Sequence, residues 1–314
     1  MQLTIDRAAL TARLRAAISS LIGDDPTARL GVAVSGGPDS MALLFLAIEG
    51  FSGRVAAVTV DHGLRAASAN EAAMVARWCA DRGIAHSILT PDRPVEGNVQ
   101  AWARTTRYRL IEHWRVAAGI DWVMTAHHAD DQLETLLMRL NRGSGVGGLA
   151  GVRARSDHIL RPLLDVSKAT LLALAEAENL PFVHDPSNAD PRFDRAALRA
   201  ALADAPWLDA RAAARSAAAL AEADAALDWS VAALVRTHVQ KHGAGWRLDR
   251  TDLPREYLRR LLLAMLARAD APAPRGETLD RAIAQALDGG QSSLGDWLLK
   301  GGPVWTLTPA PPRR

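Results

Sequence analysis

Short apolar runs alternate with longer amphipathic stretches through the first two thirds of the chain. Leu30–Val34, Arg54–Val60, Ala85–Leu89 and Trp122–Thr125 are short and mostly apolar, which predicts buried strands. Between them lie the helical patterns Met41–Ile48, Ser68–Arg82, Val99–Ala118 and Leu133–Arg142, and Ile5–Leu21 predicts an opening helix. Strands alternating with helices predict a parallel sheet wound on both faces. Beyond them come an extended Arg161-Pro-Leu-Leu164, a helix over Ser167–Asn179, a polar loop over His184–Asp190, and a short helix carrying Arg195 and Arg199.

From Ala210 the pattern changes. Ala210–Val239 reads as an alanine-rich helix, Gly245–Asp249 as a strand, and Arg255–Arg268 and Gly276–Leu287 as amphipathic helices. Leu294–Leu299 and Val304–Thr308, parted by Lys300-Gly-Gly302, read as a hairpin. The expected division is a Rossmann-like α/β domain over 1–209 and a smaller, mostly helical domain with a terminal hairpin over 210–314. The length of 314 residues fits two domains.

Composition narrows the class. At 49% hydrophobic the chain can build a sizeable core, yet no run approaches the ~20 apolar residues of a membrane span. The start, Met-Gln-Leu-Thr-Ile-Asp, lacks the basic and apolar regions of a signal peptide. Cys79 is the single cysteine, which excludes an internal disulfide or a C-x-x-C pair. These features place the protein in the cytoplasm. Net charge is only +2, but three of the 37 basic residues are lysine and the rest arginine, which suits phosphate contacts. Genomic base composition gives the same bias.

In an open parallel sheet, ligands gather beyond the carboxyl ends of the strands. Three polar clusters stand at such ends: Ser35-Gly-Gly37, Asp61–Arg65 and Ala126–Asp131. In the first, a strand runs through Ser35, Gly36 and Gly37 into a helix with Pro38 in its first turn. The free N–H groups of such a turn and the helix dipole attract phosphate. Ser35 and Ser40 add hydroxyls. Asp39 repels phosphate unless Mg²⁺ stands between them. The G-x-x-x-x-G-K-[ST] loop is absent, since no lysine follows a glycine. Gly143–Gly148 matches G-x-G-x-x-G but follows a helix, so it reads as a flexible loop.

Ser-Gly-Gly-x-Asp-Ser after a strand resembles the signature of the N-type ATP pyrophosphatases, which split ATP between the α- and β-phosphates and adenylate an oxygen. The ordered set is more specific. Ser-Gly-Gly-Pro-Asp-Ser (35–40), Val-Asp-His-Gly-Leu-Arg (60–65), Ala-Arg-x-x-Arg-Tyr (103–108), Ala-His-His-x-Asp-Asp-Gln-x-Glu-Thr (126–135), Arg-Gly-Ser-Gly (142–145) and Arg-Pro-Leu-Leu (161–164) together resemble the tRNA(Ile)-lysidine synthetase family. Asp185-x-Ser-Asn188, Phe193-Asp-Arg195 and Leu198-Arg199 extend the match. One departure stands out: Ala196 follows Arg195 where the family has asparagine.

The resemblance implies a ligase that modifies cytidine 34 in the CAU anticodon of tRNA(Ile). The cytidine C2 oxygen attacks the α-phosphate of ATP, pyrophosphate leaves, and free L-lysine displaces AMP. It implies that Ser35, Gly36, Gly37, Pro38, Asp39 and Ser40 hold the ATP phosphates, with Asp39 acting through Mg²⁺. Asp61, His62 and Arg107 then lie by ATP, while Arg104, Arg142 and Arg195 meet tRNA or phosphate. Asp131 and Glu134 take lysine, and Arg199 acts on phosphate or substrate. A dimer is one of the oligomeric states left open.

The residues themselves allow blander readings too. Asp61 can cap a helix. Arg104 and Arg107 share one helical face that can simply be solvated. Asp131 and Glu134, three apart, suit a lysine ammonium but also an N-terminal cap. His127 reads as a site-wall residue, with no transition metal. Among rivals, a thiolating relative needs cysteines beyond Cys79, an ammonia-using synthetase needs an ammonia-generating partner, and a non-catalytic RNA-binding relative would not keep Asp39, Asp131 and Glu134 together.

Overall fold

The computed structural model describes residues 5–64, 67–92, 95–184 and 194–311, the side chains of Asp194 and Ala196 excepted. Contacts divide the chain into a unit ending at Ala221 and a unit spanning Glu222–Arg314. The division falls inside one long helix that begins at Ala210, where the sequence pattern changes.

The first unit opens with α1 (Arg7–Ile22), capped by Asp6, whose carboxylate accepts the Ala9 N–H at 2.9 Å. Then follow β1 (Leu30–Ala33), α2 (Pro38–Gly50), β2 (Val55–Val60), α3 (Ser68–Ala80), β3 (His86–Leu89), α4 (Val99–Ala117), β4 (Trp122–Met124), α5 (Ala129–Leu140), the single turn α6 (Val146–Leu149), β5 (Arg155–Ser156), β6 (Ile159–Leu160), α7 (Lys168–Ala177) and α8 (Asp194–Ala203). The sheet order is β3-β2-β1-β4-β6-β5, parallel except for the β5–β6 edge. The chain therefore winds outward from β1 through β2 to β3, then returns to lay β4 on the other side of β1. That reversal is where an α/β sheet opens a crevice. The loops after β1 and β4 border it.

Alternation along the strands feeds two cores. Leu30, Val32, Ala57, Met124 and Leu160 meet residues of α1, α2, α3 and α7, among them Leu14, Leu44, Cys79 and Leu171. Ala56, Val58 and Val123 meet Ile111 and Trp114 of α4. Gly31 lets the Trp114 ring lie on the strand, because a Cβ there would stand 2.8 Å from it.

Some expectations are displaced. α5 begins at Ala129 rather than Leu133, since the polar Ala129–Gln132 segment forms its first turn. The glycine-rich stretch after it is not a plain loop but folds the turn α6. Arg161–Leu164 is mostly turn, with one bridge from Leu163 to His128, and β5 and β6 precede it. Their two-residue length gives no periodicity to read. Arg65 and residues 185–193, which carry Asp185, Asn188 and Phe193, lie outside the described residues.

The second unit takes the C-terminal part of α9 (Ala210–His238) and adds β7 (Val239–His242), β8 (Gly245–Leu248), α10 (Arg255–Arg268), α11 (Gly276–Leu287), β9 (Gln291–Leu294), β10 (Trp297–Lys300) and β11 (Trp305–Pro309). Its sheet is antiparallel, in the order β7-β8-β11-β10-β9. The expected hairpin is β10–β11, but a turn at Gly295 splits its first run into β9 and β10. Leu248, Leu299, Trp305 and Leu307 from the sheet pack on Leu261, Leu262, Met265 and Ile283. Arg260 pairs with Asp224, Asp228 and Glu256 at 2.5, 2.5 and 2.9 Å, tying α9 to α10. No helix among the described residues is long and apolar enough to cross a membrane.

One clamp fastens the α6 region to α5. The buried Gln132 donates to the Val152 carbonyl and accepts the Val152 N–H, both at 2.8 Å. Gly151 beside it has φ +66°, and a Cβ there would lie 2.3 Å from Gln132 Oε1. Gly151→Ala is therefore expected to destabilise the first unit by about 1–3 kcal/mol, through strain and a broken buried amide pair. Denaturant titration checks this; an unchanged midpoint would show that the clamp yields freely.

Candidate active site

The turn between β1 and α2 is built from small residues that bond one another. Ser40 is buried, and its hydroxyl donates to the Gly37 carbonyl at 3.0 Å while accepting the Ser35 N–H at 3.1 Å. It shapes the turn, and the exposed Ser35 hydroxyl is left at the surface, 3.2 Å from Ser40 Oγ. Gly36 stands at φ +84°, open to glycine without strain. Its carbonyl accepts the Val183 N–H at 2.9 Å. Gly37 caps α2 with no side-chain bond, and Pro38 follows in the first turn. The helix N-terminus therefore keeps amides and partial positive charge for an anion.

Asp39 stands in that first turn, half-buried. One carboxylate oxygen, Oδ1, is sealed from water without a hydrogen-bond partner. The other lies 3.6 Å from His128 Nε2. His128 is buried, and it also lies 3.6 Å from Asp130 through Nδ1 and 3.6 Å from Asp131 through Nε2. Burial alone would drive this imidazole towards neutrality, but Asp130, Asp39 and Asp131 outweigh it and push its pKa up to about 10. Asp131 accepts the His128 N–H at 3.1 Å, and Asp130 accepts the Lys168 N–H at the start of α7 at 2.8 Å. Burial raises the Asp130 carboxyl, yet His128 and that N–H hold it below its usual value.

Glu134, one turn along α5, is almost wholly buried and already engaged. Arg199 of α8 grips it in a fork, Nε to Oε1 at 2.5 Å and Nη2 to Oε2 at 3.1 Å. The same guanidinium lies 3.9 Å from Asp131. One turn earlier on α8, Arg195 donates to the Thr135 hydroxyl at 3.2 Å. Asp131, Glu134 and Arg199 are thus brought together with Asp39.

His127 points away from its neighbour, as alternation along an extended segment requires. Its Nδ1 lies 2.9 Å from Thr125 Oγ1. Burial takes its pKa down to about 4 against the pull of Asp131, and Arg161, Arg104 and Arg195 add to the fall. His62 also has its pKa lowered, by burial and then by Arg107, against the pull of Asp61. Both its ring nitrogens are sealed without partners, with the Trp102 ring edge-on at 5.9 Å. Asp61 is committed to its loop, accepting Gly63 N–H at 2.9 Å and the Ser68 hydroxyl at 2.6 Å. Arg104 lies over the Tyr108 ring at 5.1 Å, and Arg142 is exposed just beyond α5. Reading the sequence missed His128 as the hub and Arg161 as a buried cation. Adjacent histidines at a strand end were the available signal.

A small-residue turn leads into a helix at the switch point of the parallel sheet, and residues 10–205 match the PP-loop domain model, so the chain is of the ATP-using PP-loop class. The chain is 40% identical to a tRNA(Ile)-lysidine synthase of Zymomonas mobilis, over 95% of this chain and 93% of that protein. It is 44% identical to a tRNA(Ile)-lysidine synthase of Novosphingobium aromaticivorans, over 92% and 91%. The chain belongs to the tRNA(Ile)-lysidine synthase family. The U34-tRNA thiolase NcsA of Methanococcus maripaludis shares the fold, with a TM-score of 0.54 and 17% identity over 69% of this chain and 80% of that one.

The His128 cluster has a pH consequence. Its folded pKa of about 10 exceeds the ordinary 6.5, so its stabilising contribution is full below about pH 6.5 and is lost as pH rises towards 10. In a series of melts from pH 6 to 10, His128→Gln should fall less steeply than the parent. Parallel curves would mean that the imidazole is neutral when folded.

Proposed function

We propose that this enzyme joins lysine to C2 of cytidine 34 in the CAU anticodon of tRNA(Ile), using ATP and releasing AMP and pyrophosphate. The observation that carries the reading is the meeting of an amide-lined anion cradle with the carboxylate of Asp131 at one crevice. One half suits phosphate and the other suits an amine.

In the first step the cytidine C2 oxygen attacks the α-phosphate, and the bond to the β-phosphate bridging oxygen breaks. The Ser35–Gly37 turn and the N-terminus of α2 receive the departing pyrophosphate charge. His62 and Trp102 offer a neutral, half-buried wall suited to a nucleoside. The orphaned Asp39 oxygen fits a cation carried by the phosphates, and Mg²⁺ held there would neutralise developing charge. Among the described residues no cluster of three or more His, Cys, Asp or Glu forms a cage by itself.

In the second step the lysine side-chain amine attacks C2 and the C–O bond to AMP breaks. The amine arrives as an ammonium, with an ordinary pKa of about 10.4. Asp131, which also faces His128 and Arg199, is the carboxylate that binds it and takes its proton. Glu134, locked to Arg199, acts by positioning that arginine against the substrate, beside Asp131. Sulfur transfer has no nucleophile here: Cys79 is fully buried in the core, and burial pushes its thiol up to about 11.

Supplying labelled lysine, ATP and bulk tRNA tests the reading. Label should appear in a single tRNA species, at one cytidine, with stoichiometric AMP and pyrophosphate. Uptake that does not require ATP, or label spread over many tRNAs, would refute it. The Glu134–Arg199 unit makes a sharper case. Glu134→Gln and Arg199→Gln should each lower kcat/KM by about 100-fold, and the double variant by little more, because both remove one interaction. Additive losses would mean that Glu134 meets the substrate separately.

A further inference from the structure

Arg161 follows β6 directly. The Leu160 carbonyl before it accepts the Thr125 N–H at 3.0 Å, and Leu163 after it bridges His128. Topology thus sets it at the carboxyl edge of the sheet, beside the segment that carries His127 and Asp131. The residue is only 7% exposed. Its Nη1 donates to the Arg153 carbonyl at 2.8 Å. Among the described residues its Nε is sealed from water with no partner, Nη2 finds no hydrogen-bond acceptor, and no carboxylate pairs with it. A buried guanidinium without a counter-ion is strongly destabilising, so a fold that keeps one has left a place for an anion.

The unused Nε–Nη2 edge is the one that grips a carboxylate or phosphate with two parallel bonds. The surroundings choose between these. Arg161 and Asp131 both act on the same neutral His127 ring, one as a cation and one as an anion. A phosphate would meet repulsion from Asp131. A molecule with a carboxylate at one end and an amine at the other matches both charges.

We propose that Arg161 is the specificity residue that receives the α-carboxylate of the amino-acid substrate, while Asp131 receives its side-chain amine. The assignment rests on the function proposed above. It explains why a long cation is buried at this edge with two donors idle.

The experiment uses the full chain with tRNA and ATP and compares lysine with 1,5-diaminopentane, which is lysine without the carboxylate. Wild type should prefer lysine. Arg161→Met should lose about 10- to 100-fold in kcat/KM for lysine, the range of a hydrogen bond to a charged group, while the diamine falls far less and the preference disappears. Arg161→Lys, which keeps the charge and guards against a folding defect, should recover part of that preference. Equal losses for lysine and the diamine would overturn the proposal in favour of a structural support for the Arg153 turn. A raised KM for ATP or tRNA with lysine KM unchanged would overturn it in favour of a phosphate ligand. If wild type takes up no lysine, the proposed function itself fails, before any variant is compared.

Discussion

A buried imidazole held between three carboxylates sets the geometry of the whole crevice. Asp39 comes from α2, Asp130 and Asp131 from α5, and all three lie 3.6 Å from His128. Without a cation between them, like charges at such separations in a half-buried site would push the two helix starts apart. With His128 charged, the glycine turn and the acidic turn can stand side by side. Asp130 extends the tie to the first residue of α7. The charge balance of the site is therefore a structural matter before any ligand enters.

The second constraint is topological. Because β4 returns to the far side of β1, the loops after both strands face one crevice. The β1 loop offers amides and the β4 loop offers carboxylates. Strand order thus sets the two loops side by side, which is what the proposed use of phosphate and amine together requires. Arg199 reaches in from α8 and holds the Glu134 carboxylate in a fork. Arg161, beneath the same edge, remains a cation with idle donors.

The strand and helix alternation was legible because each element is long enough to repeat its period. β1, β2 and α4 show this well. β5, β6 and β9 were not legible: two residues carry no period, and Gln291-Ser-Ser293 has no apolar face. At the site, the glycine turn and the Asp131–Glu134 spacing could be read, since both are local. Ser40 facing inward, the fork between Glu134 and Arg199, and Asp61 closing its own loop could not. Each depends on where a second segment lands. His128 was hidden for a simpler reason, as the sequence holds two adjacent histidines and only the fold shows which one turns towards the acids.

The central claim is that one crevice performs two separable reactions through an adenylated RNA. The most direct measurement supplies ATP labelled in its α-phosphate together with tRNA(Ile) and omits lysine. The account predicts that label accumulates on the tRNA and leaves as AMP when lysine is added. Label that never reaches the tRNA, or that lysine does not release, would contradict it.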